Sequence, residues 1–139
     1  MGEVIKYETF KRQKETISQL LIYFSQTHES SLKPVSISKS LSEKLRDISP
    51  RSRTIKLALC FQSVLDQYPD NVVIEDIDVM FNPAYQVDVL KILIEARKSK
   101  LYSVIWPGRY ENGKLYYSEQ GNSDYRTYEV KNYDIMCVI

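Results

Sequence analysis

Between Tyr7 and Gln26 the apolar residues Phe10, Ile17, Leu20, Leu21 and Phe24 recur among Lys, Arg, Glu and Gln, and their spacing predicts a helix. Its last turns, LLIYF, also fit a short strand. Ile, Tyr and Phe favour pleated surfaces, and five residues are too few for periodicity to decide. The polar stretch SQTHESSLKP ends in Pro34 and reads as a loop, after which VSI at positions 35–37 is the next strand candidate. Ser40 and Glu43 have capping-box spacing, which predicts a short helix over LSEKLRDI that stops before Ser49-Pro50. From Ser52 to Gln67, Leu57, Ala58, Phe61, Val64 and Leu65 share one helical face and predict an amphipathic helix.

Tyr68-Pro69-Asp70-Asn71 breaks that helix and opens NVVIEDIDVMF, residues 71–81, an aliphatic run that ends in carboxylates and reads as a buried strand. Asn82-Pro83 starts a turn. Val87, Leu90, Leu93, Ile94 and Arg97 then mark a helix running to about Lys98, and LYSVIWPG is a strand ended by Pro107-Gly108. Strand, helix and strand with short connections form a βαβ unit, which favours a parallel sheet. Beyond it, KLYYSE, YRTYEV and YDIMCVI alternate or are rich in β-formers, with turns at Asn112-Gly113 and Gly121-Asn122, so the chain is expected to end in antiparallel strands. The expected organisation is one α/β domain over 1–139: an N-terminal helix and loop (1–34), a βαβ core (35–106) and a β extension (107–139).

A chain of 139 residues has room for one core, since such chains bury roughly two-thirds of their unfolded surface. Nineteen Lys and Arg against eighteen Asp and Glu leave a formal net charge of +1, so any binding to nucleic acid must come from a local patch. Cys60 and Cys137 form no CxxC pair, and with one His they make no recognised zinc spacing; they read as buried thiols in a reducing cytosol. No apolar run approaches the roughly 20 residues that span a bilayer, and MGEVIKYETFKR lacks a signal-peptide apolar region. The expectation is a cytoplasmic protein without membrane contact.

Candidate chemistry lies in two places. Glu75, Asp76 and Asp78 end the central strand at the position where a Walker B motif holds Mg²⁺ and polarises water. On a continuous strand Asp76 and Asp78 project to one face and Glu75 to the other, so they converge only if the strand ends near Asp76. The alternative is that they cap the next turn or pair with surface cations. The second place is the C-terminal third, where Trp106, Arg109, Tyr116, Tyr125, Arg126 and Tyr128 interleave aromatic rings with cations. Such a face could bind a protein partner or stack bases. Alternatively its tyrosines simply pack across strands while Glu111, Glu119, Asp124 and Glu129 cancel the charge. Gly108 to Lys114, GRYENGK, has Walker A spacing, but Leu115 follows where Ser or Thr is needed and Asn-Gly announces a hairpin. His28, in THES, reads as a solvated loop residue; no G-x-S-x-G elbow accompanies it.

VVIEDIDVMF, a helix, and then SVIWPGRYENGKLYYSEQGNSDYRTYEV together resemble BrxF, the small P-loop-type protein of type 3 BREX bacteriophage-defence systems. The resemblance covers about Ser36 to Ile139. Its most specific part is WPGR, a short Gly turn, a tyrosine strand, then Gly and Tyr-Arg-x-Tyr. It implies a P-loop NTPase-like (AAA-like) three-layer α/β core with a mainly parallel sheet and a C-terminal antiparallel extension. It also implies a role beside a larger ATPase, a methyltransferase and a phosphatase-like protein in marking host DNA and blocking phage; a homo-oligomer and contact with DNA stay open as further partners. The departures fall where nucleotide chemistry would lie. LLIYF is joined to VSIS by about ten residues without Gly, too few for a Walker A loop and its helix, and Glu75 stands where the family has Asp. ATP and Mg²⁺ are therefore disfavoured as cofactors. The expected role is a non-catalytic or weakly nucleotide-binding component of an anti-phage assembly that acts through protein partners, with a nucleic-acid-binding module as the alternative.

Overall fold

The computed structural model describes residues 1–13, 17–25 and 33–139. Six strands form an all-parallel sheet: β1 (Glu3–Ile5), β2 (Leu20–Phe24), β3 (Val35–Ser36), β4 (Val72–Glu75), β5 (Tyr102–Trp106) and β9 (Ile135–Val138), in the order β1-β9-β2-β5-β4-β3. Three short strands, β6 (Arg109–Glu111), β7 (Lys114–Tyr117) and β8 (Arg126–Glu129), make a separate antiparallel sheet. The helices are α1 (Tyr7–Phe10), α2 (Ser38–Arg46), α3 (Pro50–Leu65) and α4 (Val89–Arg97). His28 lies outside the described residues.

Of the expected N-terminal helix, the described residues hold the single turn α1, and LLIYF takes its other option and becomes β2. The reason is pairing. β2 is hydrogen-bonded to β5 on one side and β9 on the other, with Ile22 opposite both Val104 and Cys137. A strand paired on both edges and covered on both faces is apolar at nearly every position, which periodicity reads ambiguously. β9 was expected in the antiparallel extension; it instead runs parallel between β1 and β2, so the chain's last strand completes the main sheet. The three-residue β1 had no expectation attached to it.

Elsewhere local signals set the elements. Pro50 occupies the first turn of α3, where its missing N–H costs nothing. Asp88 caps α4, its carboxylate accepting from the Lys91 amide at 3.1 Å. α2 begins at Ser38, ahead of the expected cap, so Ser40 and Glu43 lie inside the helix. The strand at 71–81 stops at Glu75; Asp76 adopts a left-handed φ of 61°, and Asp78–Phe81 winds into a 3-10 turn.

The crossovers from β3 to β4 and from β4 to β5 step the same way across the sheet. Right-handed crossovers then put α2, α3 and α4 on one face. There Leu57, Phe61, Val64, Leu90 and Leu93 join Leu20, Ile22, Ile74, Tyr102 and Val104 in the main core. On the other face, Tyr23, Ile105 and Val138 are packed by Tyr7, Phe10, Ile5, Leu21 and Val73. Among the described residues the helix on that face is the single turn α1.

The antiparallel sheet is fastened at the end of β5. The Trp106 indole N–H donates to the Tyr116 carbonyl at 2.9 Å, and Phe81 stacks on Tyr117 with ring centroids 3.8 Å apart while meeting Trp106 edge-on at 5.6 Å. Gly108 makes this approach possible, since a Cβ there would lie 1.8 Å from the Tyr116 carbonyl oxygen. Gly113 is required for a different reason: with Asn112 at φ 50° and Gly113 at φ 80°, the β6–β7 hairpin closes in a turn of positive φ. Gly108→Ala is expected to cost about 3 kcal/mol or more, because the backbone itself must move. Gly113→Ala, with open space around its Cβ, should cost about 1–2 kcal/mol. Urea denaturation of the two variants against the parent checks the ranking.

Candidate functional site

The three carboxylates at the end of β4 meet different fates. Ile74 faces the helices, so Glu75 projects from the opposite face, and its backbone carbonyl accepts from the Ile37 amide at 3.2 Å. Asp76 is exposed at the left-handed bend, a conformation Asp tolerates better than most side chains. Ile77 returns to the core, and Asp78 then accepts a hydrogen bond from the Tyr117 hydroxyl at 3.1 Å. Among the described residues no group of three or more His, Cys, Asp and Glu is placed to hold a metal ion. Asp78 works as a fastener between the end of β4 and the antiparallel sheet.

The aromatic and cationic residues of the extension divide by strand alternation. Leu115 and Tyr117 of β7 and Tyr128 of β8 turn inward, and Trp106 is only 2% exposed. Trp106 and Tyr128 meet edge-on at 5.8 Å. As folded, neither offers a surface to a partner, which corrects the expectation that both belong to a binding face. Arg126 is half-buried and donates to the Tyr125 carbonyl at 2.8 Å. The outward residues do assemble: the Arg109 guanidinium lies 4.4 Å from the centre of the Tyr116 ring, and Tyr116 and Tyr125 are 6.5 Å apart. Glu111 at 3.6 Å and Glu119 at 3.5 Å flank Arg109 and balance its charge. The GRYENGK segment is the β6–β7 hairpin, in a geometry that cannot cradle phosphate at a helix N-terminus.

A second fastener was not anticipated. The Tyr133 hydroxyl donates to Asp88 at 2.8 Å through one carboxylate oxygen while the other caps α4. The cap half was legible, because Asp stands just before an apolar-periodic run; its partner lies 45 residues away and carries no local signal. Burial, with Asp78 beside it, pushes the Tyr117 phenol well above its ordinary value. Burial and the bond to Asp88 push Tyr133 from 10.0 up to about 12.

Both tyrosines therefore stay protonated in the fold at pH values where those of an unfolded chain ionise. The stability they contribute is full below about pH 10 and is lost as pH rises toward the folded values. Thermal melting followed from about pH 9 to about pH 12 should show a steep fall that is shallower in Tyr133→Phe. At neutral pH, Tyr117→Phe keeps the stack on Phe81 and should cost about 0.5–1.5 kcal/mol, whereas Tyr117→Ala should cost about 3–5 kcal/mol. Chemical denaturation of the two variants separates the hydrogen bond from the ring.

Comparison with family models, with curated proteins and with solved structures finds no match to this chain.

Proposed function

We propose that this chain is a non-catalytic, P-loop-like component of a BREX-type bacteriophage-defence assembly, acting through protein partners by the outer face of its β extension. Strand order supports the P-loop-like part. Numbering the core strands β2, β3, β4, β5 and β9 from one to five gives 5-1-4-3-2, the order of AAA-type P-loop ATPases and neither of the common Rossmann and flavodoxin orders. In that frame the connection after β2 is where phosphate would be held, and its sequence there is the Gly-free SQTHESSLKP. The acidic strand end is the Walker B position, and its Asp78 is engaged by Tyr117.

The partner-binding part is carried by one observation: Arg109 lies over Tyr116, close to Tyr125, with its charge balanced by Glu111 and Glu119. Aromatic and Arg side chains are the usual anchors of protein interfaces, while phosphate binding needs cations that are not already balanced. The outer face of the extension therefore favours a protein over a nucleic acid.

Two measurements test the proposal. Titration with Mg-ATP should give neither micromolar binding nor phosphate release; micromolar affinity with turnover abolished by Glu75→Gln would sink the non-catalytic reading. The double variant Arg109→Ala/Tyr116→Ala should keep its fold and lose about 30-fold or more in affinity for the assembly's larger ATPase, as expected when interface anchors are removed. Unchanged affinity, or tight DNA binding that weakens steeply with salt and is lost in the same variant, would overturn it.

A further inference from the structure

α3 is apolar on two sides. Leu57, Phe61, Val64 and Leu65 face the core, yet Ile55 is 81% exposed and Leu59 70% exposed, one turn apart on the outward side, with Ala58 exposed between them. Helical spacing alone puts Ala58 with the inward set; its outward position makes this stripe continuous. Beside Leu59 a groove of about 300 Å³ runs between α2 and α3, lined by Lys44, Asp47, Ile48, Lys56 and Cys60 among others. A single exposed Leu needs no explanation, but an exposed apolar pair one turn apart, of which Leu59 lines an interhelical groove, is the form of a helix-docking surface.

The charge around it is one-sided. Residues 38–63 contain six basic side chains and two acidic ones, in a chain whose net charge is only +1. Arg53 donates to the Leu45 and Ile48 carbonyls at the end of α2. Among the described residues none of Lys39, Lys44, Arg46, Arg51 and Lys56 takes part in an ion pair. This contrasts with Arg109 of the extension, which has two glutamates beside it.

We infer that the outward face of α3 with the α2–α3 groove docks an acidic amphipathic helix of a partner protein. The partner's apolar side would cover Ile55, Ala58 and Leu59, and its carboxylates would meet Lys44, Arg51 and Lys56. A groove between two packed helices accepts a third by interdigitating side chains, with apolar anchors one turn apart. A second copy of this chain is a poor occupant, because a two-fold interface would bring like cations together. The inference is independent of the reading of the β extension, whose outer face lies on different elements.

The test uses the full chain and a helix-stapled synthetic peptide with Leu at i, i+3, i+4 and i+7 and Glu on its flanks, followed by fluorescence anisotropy. Saturable binding that weakens with added salt and falls at least tenfold in Ile55→Ser/Leu59→Ser is expected. Both positions are exposed, so the variant should fold, and its unchanged thermal melt confirms that. A Lys-flanked peptide of the same apolar pattern should not bind. Equal binding of the two peptides, no binding of the acidic one, or binding untouched by the double variant overturns the inference. So does loss, in that variant, of binding to phosphatidylserine vesicles or of self-association in sedimentation without any peptide effect, since either result assigns the face to another occupant.

Discussion

β2 has no free edge and no free face, and the rest of the chain is arranged to keep it so. Leu20 and Ile22 are buried against the helical layer and Tyr23 against α1, while β5 and β9 take its two sides. β9 is the last strand of the chain, yet it lies between the first two, so the sheet closes only when residues more than a hundred positions apart have met. Contacts of that separation make folding slow, because chain entropy is lost before the pairing compensates it. The exposed rims are left to β1 and β3, strands of three and two residues, and short edges of this kind discourage pairing with other chains.

The second structural theme is the use of polar groups as fasteners between layers. Trp106 closes the end of β5 and hands its indole hydrogen to Tyr116; Tyr117 and Tyr133 carry theirs to Asp78 and Asp88. Each bond joins the antiparallel sheet, or the segment after it, to a residue of the parallel core or its connections. Aromatic rings supply most of the contact area, and the hydrogen bonds fix direction. Placing Asp78 in such a bond changes the meaning of an acidic strand end that, by sequence, points toward metal chemistry.

Charge separates two surfaces of the molecule. On the extension, glutamates stand beside Arg109; on the α2–α3 face, cations that form no ion pair among the described residues surround an apolar stripe. A near-neutral chain can therefore present one balanced and one basic face, a distinction that net charge hides.

The helices at 38–46, 50–65 and 89–97, the strands at 72–75 and 102–106 and the Asn112-Gly113 hairpin were all legible, because caps, prolines, glycines and helical spacing act within a few residues. The sequence by itself also marked Glu75, Asp76 and Asp78, and the Arg109, Tyr116 and Tyr125 group, as the residues with chemistry to explain. Only the tertiary structure decided that LLIYF is a strand, that β9 runs parallel in the main sheet, that Trp106 and Tyr128 are interior, and that Asp78 is bonded to a tyrosine. Those outcomes depend on which distant segment arrives beside a residue, and hydrophobic spacing along one segment specifies a face to be covered without specifying what covers it.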